Sequence, residues 1–244
     1  MSIPDTPITF PSTPKHTDDN TPPVYTLFAV FRVSSSHPSV FDGHDVAGVV
    51  REFEDVLELT GAENVTLRGL YDVSGLRADA DLMLWLHGPA AEDLQWALRL
   101  LRRTSLLKPL IRVWSTVGVQ RETEFVKDQV PGFVSGVEPK QWLALHPIAR
   151  STSWHLIDPA DHSRLIMEQL DARGEFTGVT SNIVAGYALG NYEWIFPMEA
   201  DNLVDLVDMN RALRAVNVKQ HVREDTEFFT GRLIELAEVV EVLQ

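Results

Sequence analysis

The order of predicted elements along the chain points to an α+β protein that uses one βαββαβ unit twice. Three observations carry this. β-rich apolar runs and amphipathic helical stretches alternate in the same order in each half. A stretch containing Pro131-Gly132 and Gly136 separates the halves. The chain's 244 residues also exceed one average domain of about 150 residues. That unit is the split βαβ motif of a ferredoxin-like domain. The predicted boundaries are a disordered Pro-rich arm over 1–24, a first ferredoxin-like domain over 25–135, a second over 136–231, and an acidic C-terminal helix over 232–244.

The arm holds six of the fourteen prolines (Pro4, Pro7, Pro11, Pro14, Pro22, Pro23), which remove backbone donors in a stretch with little to bury. Thr26–Val33 is a β-rich apolar run and predicts a strand. Asp45 precedes apolar residues at Val46, Val49, Val50, Phe53, Val56 and Leu57, the spacing of a helix behind an Asp N-cap. Val65–Val73 and Ala80–His87 predict two strands about a Ser-Gly turn, Glu92–Arg103 a helix and Ile111–Gln120 a strand. Arg121–Glu138 predicts a linker.

In the second half, Gln141–Ala149 predicts a strand, and Pro159 opens a helix running to Arg173. Val179–Leu189 and Tyr192–Met198 predict strands about a Gly190-Asn191 turn, Ala200–Val216 a helix and Val218–Phe229 a closing strand. The tail places Leu233, Ile234, Leu236, Ala237, Val240 and Leu243 on one helical face beside Glu235, Glu238 and Glu241. That pattern predicts an amphipathic helix packed on its own protomer or a neighbour.

Composition excludes several classes. There is no Cys, which removes disulfides, thiol nucleophiles, thiolate haem ligation and Cys-ligated metal sites. Thirty-five acidic against 21 basic residues give a formal charge of −14, which argues against nucleic-acid binding through cationic surface. No apolar run approaches the roughly 18–20 residues of a membrane span, and no signal-peptide core opens the chain, so the expectation is a cytoplasmic protein with no membrane partner. The P-loop, the Gly-rich dinucleotide fingerprint, HExxH and GxSxG are all absent. His155 and His162 lie seven residues apart. Their spacing straddles a loop and a helix start, and solvated loop histidines are the expected reading.

The specific signal is a resemblance. Tyr71–Met83 (YDVSGLRADADLM) is similar to the signature of the chlorite dismutase superfamily, and most similar to its coproheme decarboxylase branch. Further matching segments follow in order: Thr26–Val33, Trp114-Ser115, Glu124-Phe125, the Val130–Phe133 turn, Arg150-Ser151 with Trp154, Tyr187–Trp194, and His221–Glu224 running to Gly231. The similarity covers about residues 25–231. It implies a dimeric α+β barrel-type subunit, a homopentamer and a porphyrin (haem or coproheme) in the second domain. In the decarboxylases it also implies a proximal His on iron, a radical-forming Tyr beside a propionate, and a distal His acting as base toward peroxide.

Carried over residue by residue, the resemblance places departures at all three positions. Gln169, following Glu168 and fifteen residues after Trp154, stands at the proximal His position. His146, before Pro147, stands at the catalytic Tyr position, and Gln120, before Arg121, at the distal His position. A carboxamide is a poor iron ligand, and imidazole is much harder to oxidise to a neutral radical than a phenol of pKa about 10. His162 lies seven residues before Gln169, about 10 Å along the same helix, too far to substitute without a register change. Arg150 matches an Arg near the propionates, able to pair with a carboxylate, and Trp154 matches the pocket tryptophan. Val218 falls about where chlorite dismutases carry a distal Arg, which argues against chlorite chemistry. His87 and His221 also match and are expected to be structural.

Arg112, Arg121 and Lys127 are expected around the mouth, where they meet either an anionic ligand or Glu122, Glu124 and Asp128 as surface pairs. Three functions follow. The first is a divergent family protein impaired in coproheme decarboxylation, taking a small anionic tetrapyrrole without axial His ligation, pairing with a genuine decarboxylase in a hetero-oligomer, or binding another small anion. The second is an active decarboxylase with altered iron ligation. The third is a non-haem enzyme or binding subunit built on His146, Gln120, Gln169 and Glu168, with His146 as general base.

Overall fold

The computed structural model describes residues 22–36, 46–121, 130–223 and 227–243. Most of the predicted arm, Asp45, Glu122, Glu124, Phe125, Lys127, Asp128 and Glu224 lie outside the described residues.

The first half follows the predicted order: β1 (Tyr25–Arg32), α1 (Val46–Ala62), β2 (Thr66–Asp72), β3 (Leu82–Gly88), α2 (Ala91–Leu101) and β4 (Ile111–Val119). β1 lies between β3 and β4, antiparallel to both, with Phe28 opposite Trp85 and Thr116. Its alternation splits two cores, as a period of two requires. Leu27, Ala29 and Phe31 pack with Phe53 of α1 and Leu94 and Leu98 of α2, whereas Phe28 and Val30 pack with Trp85, Phe133, Leu143 and Phe229.

The second half holds β5 (Trp142–Ile148), a 3-10 turn over Thr152–Leu156, α3 (Pro159–Gly174), β6 (Thr180–Ser181) and β7 (Val184–Ala185). These are followed by β8 (Trp194–Ala200), α4 (Leu203–Ala215), a second 3-10 turn over Asn217–His221, β9 (Phe229–Ile234) and α5 (Leu236–Val242). The strands of the described residues form one sheet in the order β5-β9-β2-β3-β1-β4-β7-β8-β6, and an additional β5–β8 pairing closes that order into a ring. The helix starts have local causes. Pro159 occupies the first turn of α3 behind Asp158, whose carboxylate accepts from the Ala160 N–H, and Asn202 caps α4 through the Val204 N–H. That cap is why α4 starts at Leu203 rather than at the predicted Ala200.

Four expectations change. The strand predicted over 218–229 does not form over its described residues before Phe229. Asn217–His221 is a 3-10 turn with Val218 buried inward, and the closing strand is β9, later in the sequence. β9 pairs with β5 (Leu145 opposite Phe229) and with β2 (Asp72 opposite Arg232), so it joins the two halves through backbone hydrogen bonds. The strand predicted over 179–189 is reduced to β6 and β7, because Asn182 between them turns its side chain to the Phe133 N–H and to Glu199. The Gly190-Asn191 turn is part of a wider loop pinned by the Gly186 N–H donating to the Glu193 carbonyl at 2.8 Å. The tail helix starts at Leu236, after a capping box between Glu235 and Glu238, and Val239, Val240 and Leu243 complete the core around Phe53 and Leu70 of the same chain.

One buried ion pair crosses the halves. The Arg68 guanidinium meets Glu199 at 2.7 Å and donates to the Val137 carbonyl at 2.9 Å, while Asn182 donates to Glu199 at 2.9 Å. Burial holds the Glu199 carboxyl above its ordinary range, against the pull of Arg68 and Asn182.

Candidate functional site

On the helix side of β5 and β8 lies a cavity of about 420 Å³, within the roughly 300–1,000 Å³ of small-molecule sites. Ala144, His146 and Ile148 reach it from β5, where alternate residues share one face, and Phe196 and Met198 reach it from β8 by the same rule. α4 contributes Leu206, Asn210, Arg211 and Arg214, the second 3-10 turn contributes Val218 and Lys219, and α3 contributes Gln169. None of the described lining residues is acidic.

Gln169 and His146 stand out among the polar groups of this wall. Gln169 is 6% exposed, and its Oε1 is buried with no hydrogen-bond partner among the described residues. Burial pushes the His146 imidazole down to about 4, and the positive charges of Lys219 and Arg214 push the same way, so it is neutral at pH 7. Its ring packs on Phe228 at 4.7 Å between centroids. One turn beyond Gln169, Arg173 has Nε and Nη1 buried without partners among the described residues. Its guanidinium lies 5.8 Å from the Phe196 ring.

Of the residues singled out in the sequence, the fold brings His146, Gln169 and Val218 to one cavity. Arg150 and Trp154 are not among the described lining residues. The Arg150 guanidinium stacks on the Trp154 indole at 4.1 Å, and Trp154 packs with Ile148, Leu165, Val218 and Val222 behind the wall. Gln120 follows the last residue of β4, donates its N–H to the Val24 carbonyl at 2.8 Å and is absent from the lining. Glu168 turns to Asn217, whose side-chain amide donates to it at 3.0 Å. The His162 ring packs against Trp154 at 4.1 Å between centroids, tilted by 45°, and His155 lies 3.5 Å from Glu193. His87 packs edge-on against Phe133, with burial lowering it to about 4, and His221 meets the Ser153 hydroxyl at 2.9 Å.

The expected basic mouth is also elsewhere. Arg112 lines a separate pocket of about 340 Å³ with Arg99 and Arg102, and Arg121 does not reach the cavity. The cations at the cavity are Arg211, Arg214 and Lys219, which sequence reasoning passed over. Their signal was two arginines three residues apart on a predicted helix of a strongly acidic chain.

The sequence profile of the chlorite dismutase family matches residues 46–234. The chain belongs to that family. It is 39% identical over 217 residues to a coproheme decarboxylase of Mycolicibacterium smegmatis, covering 88% of this chain and 92% of the relative. Among solved structures, an arginine-to-lysine variant of chlorite dismutase from Candidatus Nitrospira defluvii superposes with a TM-score of 0.75 at 22% identity, over 91% of this chain and 95% of that one. The imidazole complex of the same enzyme gives 0.74 at 22% identity over the same shares. These likenesses show a mixed α+β fold shared with chlorite dismutases.

The family implies a haem-type group, and the cavity answers that in two parts. Its apolar walls and cationic rim suit a carboxylated macrocycle. The donors of α3 do not suit an axial bond to iron. α3 offers a carboxamide, and His162 of the same helix is stacked against Trp154 outside the lining. Among the described residues no group of three or more His, Asp or Glu is placed to hold a metal ion. No helix among them is long and apolar enough to cross a membrane.

Proposed function

We propose that this chain is a divergent coproheme decarboxylase-like protein that keeps a tetrapyrrole-sized cavity and has lost ordinary peroxide-driven decarboxylation. The observation that carries this reading is that Gln169 and His146, placed by resemblance at the proximal His and catalytic Tyr positions, line the same cavity. A buried carboxamide in the first role leaves the iron without its usual donor. An imidazole in the second cannot replace a phenol that gives up a proton and an electron together. In this reading the chain is two tandem ferredoxin-like units of a dimeric α+β barrel-type subunit, assembled in the cytoplasm as a homopentamer or with a genuine decarboxylase.

A second reading, an active decarboxylase with altered ligation, draws on one observation. His146 is a neutral imidazole on the cavity wall, the form that binds metals. The non-haem general-base reading has less support. An imidazole held near 4 is a weak base at pH 7, and no described carboxylate in the lining orients it.

The test is an anaerobic titration of the purified protein with coproheme, followed by its Soret band, and then addition of peroxide. Binding without conversion of propionates to vinyls is the expected result. Stoichiometric conversion to the divinyl product overturns the proposal and restores the active enzyme.

A further inference from the structure

We infer that the cavity recognises its ligand by charge, holding an apolar, carboxylate-bearing molecule through Arg211, Arg214 and Lys219 without a bond to any metal that the molecule carries. The inference rests on the cavity being the ligand site of the preceding proposal, and it names what the site reads.

Four observations converge on it. First, the walls are apolar, with Ile148, Phe196, Met198, Leu206 and Val218 among them, so the bulk of an occupant must be apolar. Second, the rim gathers three cations in a chain whose formal charge is −14, and no described acidic residue lines the cavity. Arg211 and Arg214 form no ion pair among the described residues, whereas Arg68, Arg77, Arg164 and Arg232 all do. A guanidinium left without a carboxylate at the edge of an apolar cavity is suited to a bidentate pair with a ligand carboxylate. Third, the cations act on the cavity interior. Lys219 and Arg214 bear on His146 through their charge, and Arg173 lies buried behind Phe196 with two of its nitrogens lacking a partner among the described residues. Fourth, the group that α3 presents is the Gln169 amide, whose buried oxygen lacks a partner among the described residues. An amide accepts or donates a hydrogen bond, so it contacts an organic ring or chain and gives no preference for a metal centre.

The shared chemistry, an apolar body with carboxylates, has two sources: a porphyrin carboxylate and a long-chain fatty acid. Isothermal titration of the full chain with metal-free coproporphyrin III, with its iron complex and with palmitate separates them. The expected result is that the metal-free and iron porphyrins bind within about threefold of each other. The Arg211→Glu/Arg214→Glu variant then weakens both by about tenfold or more. Both arginines are solvent-exposed on α4, so the variant should keep its fold, checked by circular dichroism. Lys219→Gln, a milder change, should weaken both in the same sense.

Palmitate binding with the same charge dependence, and no porphyrin binding, would support charge recognition while overturning the tetrapyrrole reading of the preceding section. Binding of the iron complex alone, lost in His146→Ala, would reveal a metal bond and overturn the inference. It would also leave the peroxide test of the decarboxylase readings intact. Binding unchanged by charge reversal, or no binding in any arm, overturns the inference as well.

Discussion

His146 concentrates the chemistry of the cavity in one side chain. Burial disfavours its charged form, and Lys219 and Arg214 disfavour it further, so it titrates near 4 instead of 6.5. Between those values the unfolded chain binds a proton that the native chain does not, so stability rises with pH across this window and is lost as pH falls through it. The expected loss from His146 is about 2–3 kcal/mol by pH 4. An NMR titration of its ring protons should give a midpoint near 4, and a midpoint near 6.5 would contradict the buried environment.

At the same scale, the double substitution Gln169→His/His146→Tyr returns an imidazole and a phenol to the cavity wall. It should sharpen and shift the Soret band of bound coproheme and raise peroxide-dependent vinyl formation at least about tenfold over the parent chain. No gain in either readout would mean that these two positions do not account for the divergence.

At the scale of elements, β9 is the piece on which the two halves depend, and Gly231 shows how closely it is held. A Cβ there would lie 2.8 Å from Val73 Cγ1, 2.9 Å from Tyr71 Cβ and 3.1 Å from the Asp72 carbonyl oxygen, and the last of these is backbone that cannot swing away. Gly231→Ala should therefore cost about 1–3 kcal/mol, read as a lower urea midpoint with an unchanged slope. A midpoint equal to the parent's would show that β9 and β2 separate easily.

β1–β5, α2 and α3 were legible to within a residue or two, because each has a clean apolar period or a cap in its own sequence, whereas α1 runs to Ala62, five residues beyond Leu57, the last position its apolar spacing marked. The segment 217–234 was not. Val218 and Val222 look like strand residues, yet they pack inward around Trp154 because the chain must cover the cavity before β9 can reach β5. That competition is invisible to a local window. The pieces β6 and β7 failed for a related reason, since Asn182 serves the buried Glu199 rather than a continuous ladder.

At the scale of the whole molecule, the Arg68–Glu199 pair ties β2 of the first half to β8 of the second in an environment with almost no solvent. Removing one partner leaves a buried charge, so Glu199→Leu should cost about 3–5 kcal/mol, while Arg68→Met/Glu199→Leu should recover much of that loss. A double-mutant cycle by thermal melting checks it, and additive single effects would mean that the pair is not coupled. The buried histidines set the acid limb of the stability curve. His87 and His146 are both held near 4, so stability declines as pH falls from about 6.5 toward 4. Glu199 acts in the opposite sense. Its raised carboxyl pKa favours folding below its ordinary range, and that contribution fades as pH rises through the raised value.

The sequence by itself determined the α+β order of most elements, the family, and which residue types stand at the positions that the resemblance marks. Those properties are local: periodicity, caps, and motifs read along the chain. Only the tertiary structure decided that His146, Gln169 and Val218 share one cavity while Gln120, Arg150 and Trp154 do not line it. It also decided that the cations at the rim are Arg211, Arg214 and Lys219 rather than Arg112 and Arg121. The physical reason is that a cavity is bounded by residues far apart in sequence. Which side chains face it depends on strand register and helix rotation, and long-range packing sets both.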